Sequence, residues 1–110
     1  MPSPNVLEIT DANFEETALR SPLPVLIDFT AAWCSPCRAI APHVDALADL
    51  YAGRLRVGKC DVDGNRELTV KLDIRAMPTL LVLKEGRVVA QMVGAAPRAK
   101  IEAMIARAFE

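Results

Sequence analysis

Cysteine is scarce in this sequence. Cys34, Cys37 and Cys60 are the three in 110 residues, too few and too unevenly spaced for a secreted disulfide framework. An excess of one charge is missing too. Thirteen lysines and arginines stand against fourteen aspartates and glutamates, a net charge of −1. That balance points to neither nucleic acid nor an anionic membrane as the main partner. No apolar run approaches the roughly 20 residues that span a bilayer. The opening MPSPNVLEIT has neither the basic region nor the apolar core of a secretory signal, so a cytoplasmic location is expected. Repeats, low-complexity tracts and linkers are absent as well. One domain over residues 1–110 is expected.

What is present suits a globular protein with its own core: 52% of residues are hydrophobic and 25% charged. Val6 to Thr10 reads as a short strand. Thr10 or Asp11 then caps a helix over Ala12 to Leu19, and Ser21-Pro22-Leu23-Pro24 breaks it. Val25 to Phe29 is nearly all apolar, as in a strand covered on both faces. Ile40, Val44, Leu47 and Tyr51 fall at helical spacing, so a helix runs to about Ala52, with Pro42 as an interior kink. Leu55 to Asp61 is a second central strand and Arg66 to Leu72 a short helix. Thr79 to Leu83 and Arg87 to Val93, joined through Glu85-Gly86, read as an antiparallel hairpin. Pro97 opens a last helix, with Ile101, Met104, Ile105 and Ala108 as its buried stripe. Its charges Arg98, Lys100, Glu102 and Arg107 read as a solvated face. The order β-α-β-α-β-α-β-β-α implies an α/β fold, a mixed five-stranded sheet flanked by four helices.

The stretch AAWCSPCRAIAP, residues 31–42, carries the chemistry. A Cys34–Cys37 staple closes a tiny loop, about 2 kcal/mol against about 3 for a 15-residue loop. A core of this size hardly needs it. A structural zinc site wants four Cys or His ligands. Only Cys60 and His43 remain, and they are not paired; His43 reads as an ordinary helix histidine. The third reading is a reactive pair between a strand and the first turn of a helix. There the helix dipole and free N–H groups stabilise a thiolate at Cys34. Cys37, one turn on, can reach a mixed disulfide formed by Cys34. Pro36 stiffens the loop and removes one N–H donor. Trp33 and Pro42 fit as supports.

These residues resemble the active site of the thioredoxin family, in which C-x-x-C lies near a βαβ pattern. The surrounding matches extend the resemblance over roughly residues 5–108. IDFTAAWC resembles the family's strand and leading loop, GKCDVD its third strand, IRAMPT the loop with its cis-proline, and KEGRVVAQMVGA its final hairpin. The fold expected is therefore the thioredoxin fold. Ser35-Pro36 departs from the more common Gly-Pro. The serine hydroxyl could donate toward a sulfur, and a thiolate so favoured would make the pair more oxidising. Thr30 stands where an aromatic is frequent in bacterial members.

Asp28 is costly in a strand buried on both faces unless it is paired or protonated. From the residues alone it could be a strand-end group bonded to backbone. The resemblance implies instead a buried carboxylate that takes the proton from Cys37, through a water. Lys59 could be a solvated edge residue; the resemblance makes it the neighbour that tunes Asp28. Pro78 could be a plain turn proline; the resemblance implies a cis Met77–Pro78 bond beside the cysteines, with the Met77 backbone pairing to an extended substrate. Gly94 ends the last strand, free to adopt φ > 0 and leaving room for a substrate backbone. Trp33, Ser35, Pro36, Met77, Pro78, Val93 and Gly94 would form the docking surface. Cys60 reads as a small buried hydrophobe.

The function expected from the resemblance is protein-disulfide reduction, Cys34 attacking and Cys37 resolving. No cofactor is expected to be bound. The electrons would come from an NADPH-dependent thioredoxin reductase, and the other partners would be disulfide-containing client proteins. A monomer is expected. The alternatives are a more oxidising isomerase or oxidase, and a non-enzymatic binding module on the same fold.

Overall fold

A run of six residues, VLIDFT, sets the centre of the sheet. A computed structural model describes residues 2–110 of the chain. In it Val25–Thr30 forms β2, buried at its first five positions, as an apolar run covered on both faces demands. Four further strands are β1 Val6–Glu8, β3 Arg56–Asp61, β4 Thr79–Lys84 and β5 Arg87–Val93. They lie in the order β1-β3-β2-β4-β5. β1 and β2 run parallel to β3, whereas β4 is antiparallel to both β2 and β5. The sheet is mixed, as the element order implies. Opposite Val82 and Leu83 the register of β5 slips by one, leaving Val89 as the extra residue of a bulge.

The three α-helices are α1 Ser35–Leu50, α2 Arg66–Lys71 and α3 Arg98–Ala106, the last followed by a 3-10 turn over Arg107–Phe109. The period of two along β2 and β4 sorts side chains to opposite faces. Val25, Ile27, Phe29, Leu81 and Leu83 join Phe14, Ala18 and Leu68 in one core. Leu26, Leu80 and Val82 join Ile40, Val44 and Leu47 of α1 and Ile101 and Ile105 of α3 in the other. By the same alternation Asp28 and Lys59, two residues beyond Leu26 and Val57, share the α1 face. Among the described residues no helix is long and apolar enough to cross a membrane.

The helix expected over Ala12 to Leu19 needs correction. Thr10 closes the turn before the helical segment rather than capping it: its hydroxyl accepts from Asn13 N at 3.1 Å, and Asn13 Oδ1 accepts from Thr10 N at 2.8 Å. The segment's N-cap is Phe14, with no side-chain cap. The regular helix is itself replaced by a five-residue π-helical segment, Glu15–Leu19, closed by Arg20 N to Glu15 O at 2.9 Å. The wider turn brings Phe14 and Ala18 into the core. Asp11 caps a different helix: its carboxylate accepts from Leu68 N, in the first turn of α2, at 2.8 Å. A sequence scan pairs caps with the helix that follows and cannot see a cap 57 residues away. β1 also stops at Glu8, short of Thr10. Ile9 N still bonds Lys59 O at 2.8 Å.

Candidate active site

The end of β2 delivers the chain to the start of α1, and the two cysteines occupy that junction. Cys34 is the N-cap of α1, in extended conformation, with Pro36 in the first turn. That conformation lets its sulfur turn back on the helix, where Cys37 N donates to Cys34 Sγ at 3.2 Å. The two cysteines are joined as a disulfide with Cα atoms 5.3 Å apart. The sulfur that receives a helix N-terminal N–H is the one whose thiolate this position favours. Pro42, inside α1, has no N–H to offer the carbonyl four residues back.

Arg38 is a residue that the sequence reading passed over. Its guanidinium donates to Ala32 O at 2.8 Å and to Ser35 Oγ at 2.9 Å. It therefore bridges the residues on either side of Trp33-Cys34. The Ser35 hydroxyl accepts in this contact, a role different from the expected donation toward sulfur. Asp63 was missed as well. Its carboxylate accepts from Trp33 Nε1 at 2.8 Å and anchors an indole that is 65% exposed. Trp33 thus presents a broad apolar face outward beside the pair.

Asp28 lies behind the pair. It is 1% exposed, and its Oδ1 has no hydrogen-bond partner among the described residues, so the backbone-bonded alternative fails for that oxygen. A cleft of about 350 Å³ is lined by both Asp28 and Cys37, with Arg38, Lys59 and Asp61 at its walls. Burial lifts the Asp28 carboxyl to about 6; Lys59 opposes the rise and Asp45 adds to it. Lys59 stands opposite Asp28 in the β2–β3 register. Its ammonium, however, lies 3.9 Å from Asp45 on α1. Asp45 is the third functional candidate that the sequence reading missed. One position on from Val44, Asp45 lies about 100° round the helix from the buried stripe, where a charge reads as solvated, so no sequence signal singled it out.

Across the sheet, the residues expected to dock a client come together in part through β4 and β5. The Met77–Pro78 bond is cis, and Met77 packs against the core cluster that contains Cys34 and Cys37. Gly94 N donates to Pro78 O at 2.8 Å, and Val93, 59% exposed, pairs in register with Thr79. Gly94 has φ +93°, and a Cβ there would meet nothing within 4 Å. Its requirement for glycine is conformational. Pro36 and Ser35 are exposed next to the pair. Cys60 is fully buried and unbonded.

Comparison with known proteins agrees with this geometry. The Thioredoxin family model matches residues 5–107. Thioredoxin C-2 of Corynebacterium nephridii is 48% identical over 103 residues, covering 94% of this chain and 95% of that protein. The thioredoxin of Haemophilus influenzae is 45% identical over 96 residues, 87% and 90% of the two chains. That of Pseudomonas aeruginosa is 40% identical over 103 residues, 94% and 95%. The matched span takes in the strands that position the cysteines as well as the pair itself, and the chain therefore belongs to the thioredoxin family and is a dithiol–disulfide oxidoreductase.

Proposed function

We propose that the chain reduces disulfides in client proteins, with Cys34 as the attacking thiolate and Cys37 as the resolving thiol. The observation that carries this assignment is the N-cap position of Cys34, whose sulfur receives the Cys37 N–H. In the reduced protein the Cys34 thiolate attacks one client sulfur, and the other client sulfur leaves as a thiolate that takes up a proton. A mixed disulfide results. Cys37 then gives its proton to Asp28 and attacks Cys34 Sγ. The client sulfur bonded to Cys34 leaves as a thiolate and is protonated, Asp28 giving up the proton it took, and the Cys34–Cys37 disulfide is formed. Two electrons have passed to the client. A carboxyl that titrates near 6 suits a base that must accept and return a proton near neutral pH.

The client would lie over Trp33, Ser35 and Pro36 and extend along Met77, Pro78, Val93 and Gly94, with the Met77 backbone pairing to it as an added strand. The cysteines themselves hold the electrons, so no bound cofactor is needed. An NADPH-dependent thioredoxin reductase would return the pair to the dithiol, in the cytoplasm, where reducing conditions keep thiols available. The protein would act as a monomer. The test is trapping. Cys37→Ser should accumulate mixed disulfides with a disulfide-bearing protein, and Cys34→Ser should accumulate none. Trapping through Cys37 instead would reverse the roles, and no trapping by either variant would leave only a binding module.

One contact favours a second reading within the same chemistry. The Arg38 guanidinium held at Ser35 places a positive charge next to the pair. A cation there stabilises the thiolate and therefore the reduced form, which makes the pair a stronger oxidant. This would suit isomerase or oxidase work.

A further inference from the structure

Lys59 is shared. Its side chain lines the cleft that holds Asp28 and Cys37 on one side, and a second cleft with Asp45, Glu8 and Ser3 on the other. The strand register puts Lys59 beside Asp28, yet among the described residues its ion pair is with Asp45, at 3.9 Å, and none is made with Asp28. Asp45 has little else to do. Its side chain is 17% exposed, and its Oδ1 has no hydrogen-bond partner among the described residues. A half-buried carboxylate with no hydrogen bond at that oxygen is costly, so its place beside Lys59 calls for an electrostatic reason.

We propose that Asp45 is a positioning residue for the resolving half of the exchange: it draws the Lys59 ammonium toward α1, and so leaves Asp28 able to take the proton of Cys37. This rests on the oxidoreductase reading above and names a part that reading does not contain. An ammonium in full contact with Asp28 would hold it as a carboxylate too weakly basic for the task. An ammonium removed altogether would leave Asp28 protonated and unable to accept. Sharing the lysine between two carboxylates sets an intermediate state. The other charges around the two clefts are Arg38 from α1, Asp61 from β3 and Glu8 from β1. Arg38 is turned to Ala32 and Ser35. Leu80, the β4 residue in register with Asp28, is apolar. Lys59 lowers the Asp28 carboxyl and Asp45 raises it by direct repulsion; drawing the Lys59 ammonium away adds a second, indirect effect of Asp45 in the same direction.

The test follows the Asp28 carboxyl directly, by carboxyl carbon NMR against pH in the oxidised protein, where no turnover is needed. Asp45→Asn should lower the Asp28 midpoint by about 1 unit, and Asp45→Glu should restore it. In a Lys59→Met background the same Asp45→Asn change should move the midpoint by less, the remainder being the direct repulsion between the two carboxylates. An unshifted midpoint in Asp45→Asn overturns the proposal. So does an equal shift with and without Lys59, since Asp45 would then act on Asp28 by direct repulsion alone and not through the lysine. Asp45→Ala gives a second neutral replacement should the asparagine variant fold poorly. Failure of the oxidoreductase reading would show separately, as an absence of Cys34 trapping in a protein whose Asp28 still titrates as described.

Discussion

Asp28 and Lys59 face each other across the β2–β3 register, on the side of the sheet covered by α1, and they do not form an ion pair. A buried carboxylate without its expected partner has a measurable consequence. Asp28 titrates near 6 in the fold against 3.8 when unperturbed, so the native state binds the extra proton. The stability from the neutral carboxyl is full below pH 3.8 and is lost as pH rises through about 6. Asp28→Asn, which keeps a neutral side chain at all pH, should therefore be more stable than the native chain at pH 7. Two units correspond to about 3 kcal/mol at most. Urea denaturation at pH 7 and below pH 3.8 checks this: the gain should disappear at the lower pH. The same variant should resolve mixed disulfides more slowly at neutral pH.

Ser35→Gly removes the hydroxyl that Arg38 holds. The guanidinium loses one of its two anchors, and the thiolate loses a nearby fixed charge. The reduction potential should fall by about 15 mV or more, a factor of about three in the equilibrium constant. Equilibration with a graded dithiol buffer, read by Trp33 fluorescence, gives the value. An unchanged potential would show that the serine is neutral toward the pair.

Cys60 should be chemically silent. It is fully buried, and burial, with Asp11 and Asp61 adding to it, pushes its thiol up to about 11. Little thiolate exists at pH 8 and none of it is accessible. Iodoacetamide on the reduced, folded protein should modify Cys34 and leave Cys60 untouched until the chain is unfolded, which peptide mass analysis would resolve. Early labelling of Cys60 would point to local opening of β3.

Gly58 sits on β3 where a Cβ would lie 2.5 Å from Ile9 Cγ1 and 2.8 Å from Ile9 Cδ1. Gly58→Ala should overpack this face at a cost of about 1–3 kcal/mol. Ile9→Ala removes both atoms, so the double variant should be less destabilised than the sum of the two single changes. Thermal unfolding of the four proteins gives the coupling. Additive losses would mean that the strands move apart instead.

What the sequence determined by itself is what short-range rules govern. Apolar runs and alternation placed the strands, the spacing of Ile40, Val44 and Leu47 placed the long helix, and C-x-x-C at a strand-to-helix junction placed the reactive pair. Those signals lie within one element or at its boundary, where the period of the backbone acts directly on the residue pattern. The mixed sheet followed because strands alternating with helices pair in parallel and a short turn forces an antiparallel hairpin. Only the tertiary structure decided which charges meet. Asp11 caps a helix far along the chain, Asp63 holds Trp33, Arg38 ties down Ser35, and Asp45 takes the lysine that the register gives to Asp28. The π-helical segment was equally hidden, since its wider turn is set by what Phe14 and Ala18 must pack against. Hydrogen bonds and ion pairs act over a few ångströms between elements, and no periodicity along the chain encodes that proximity.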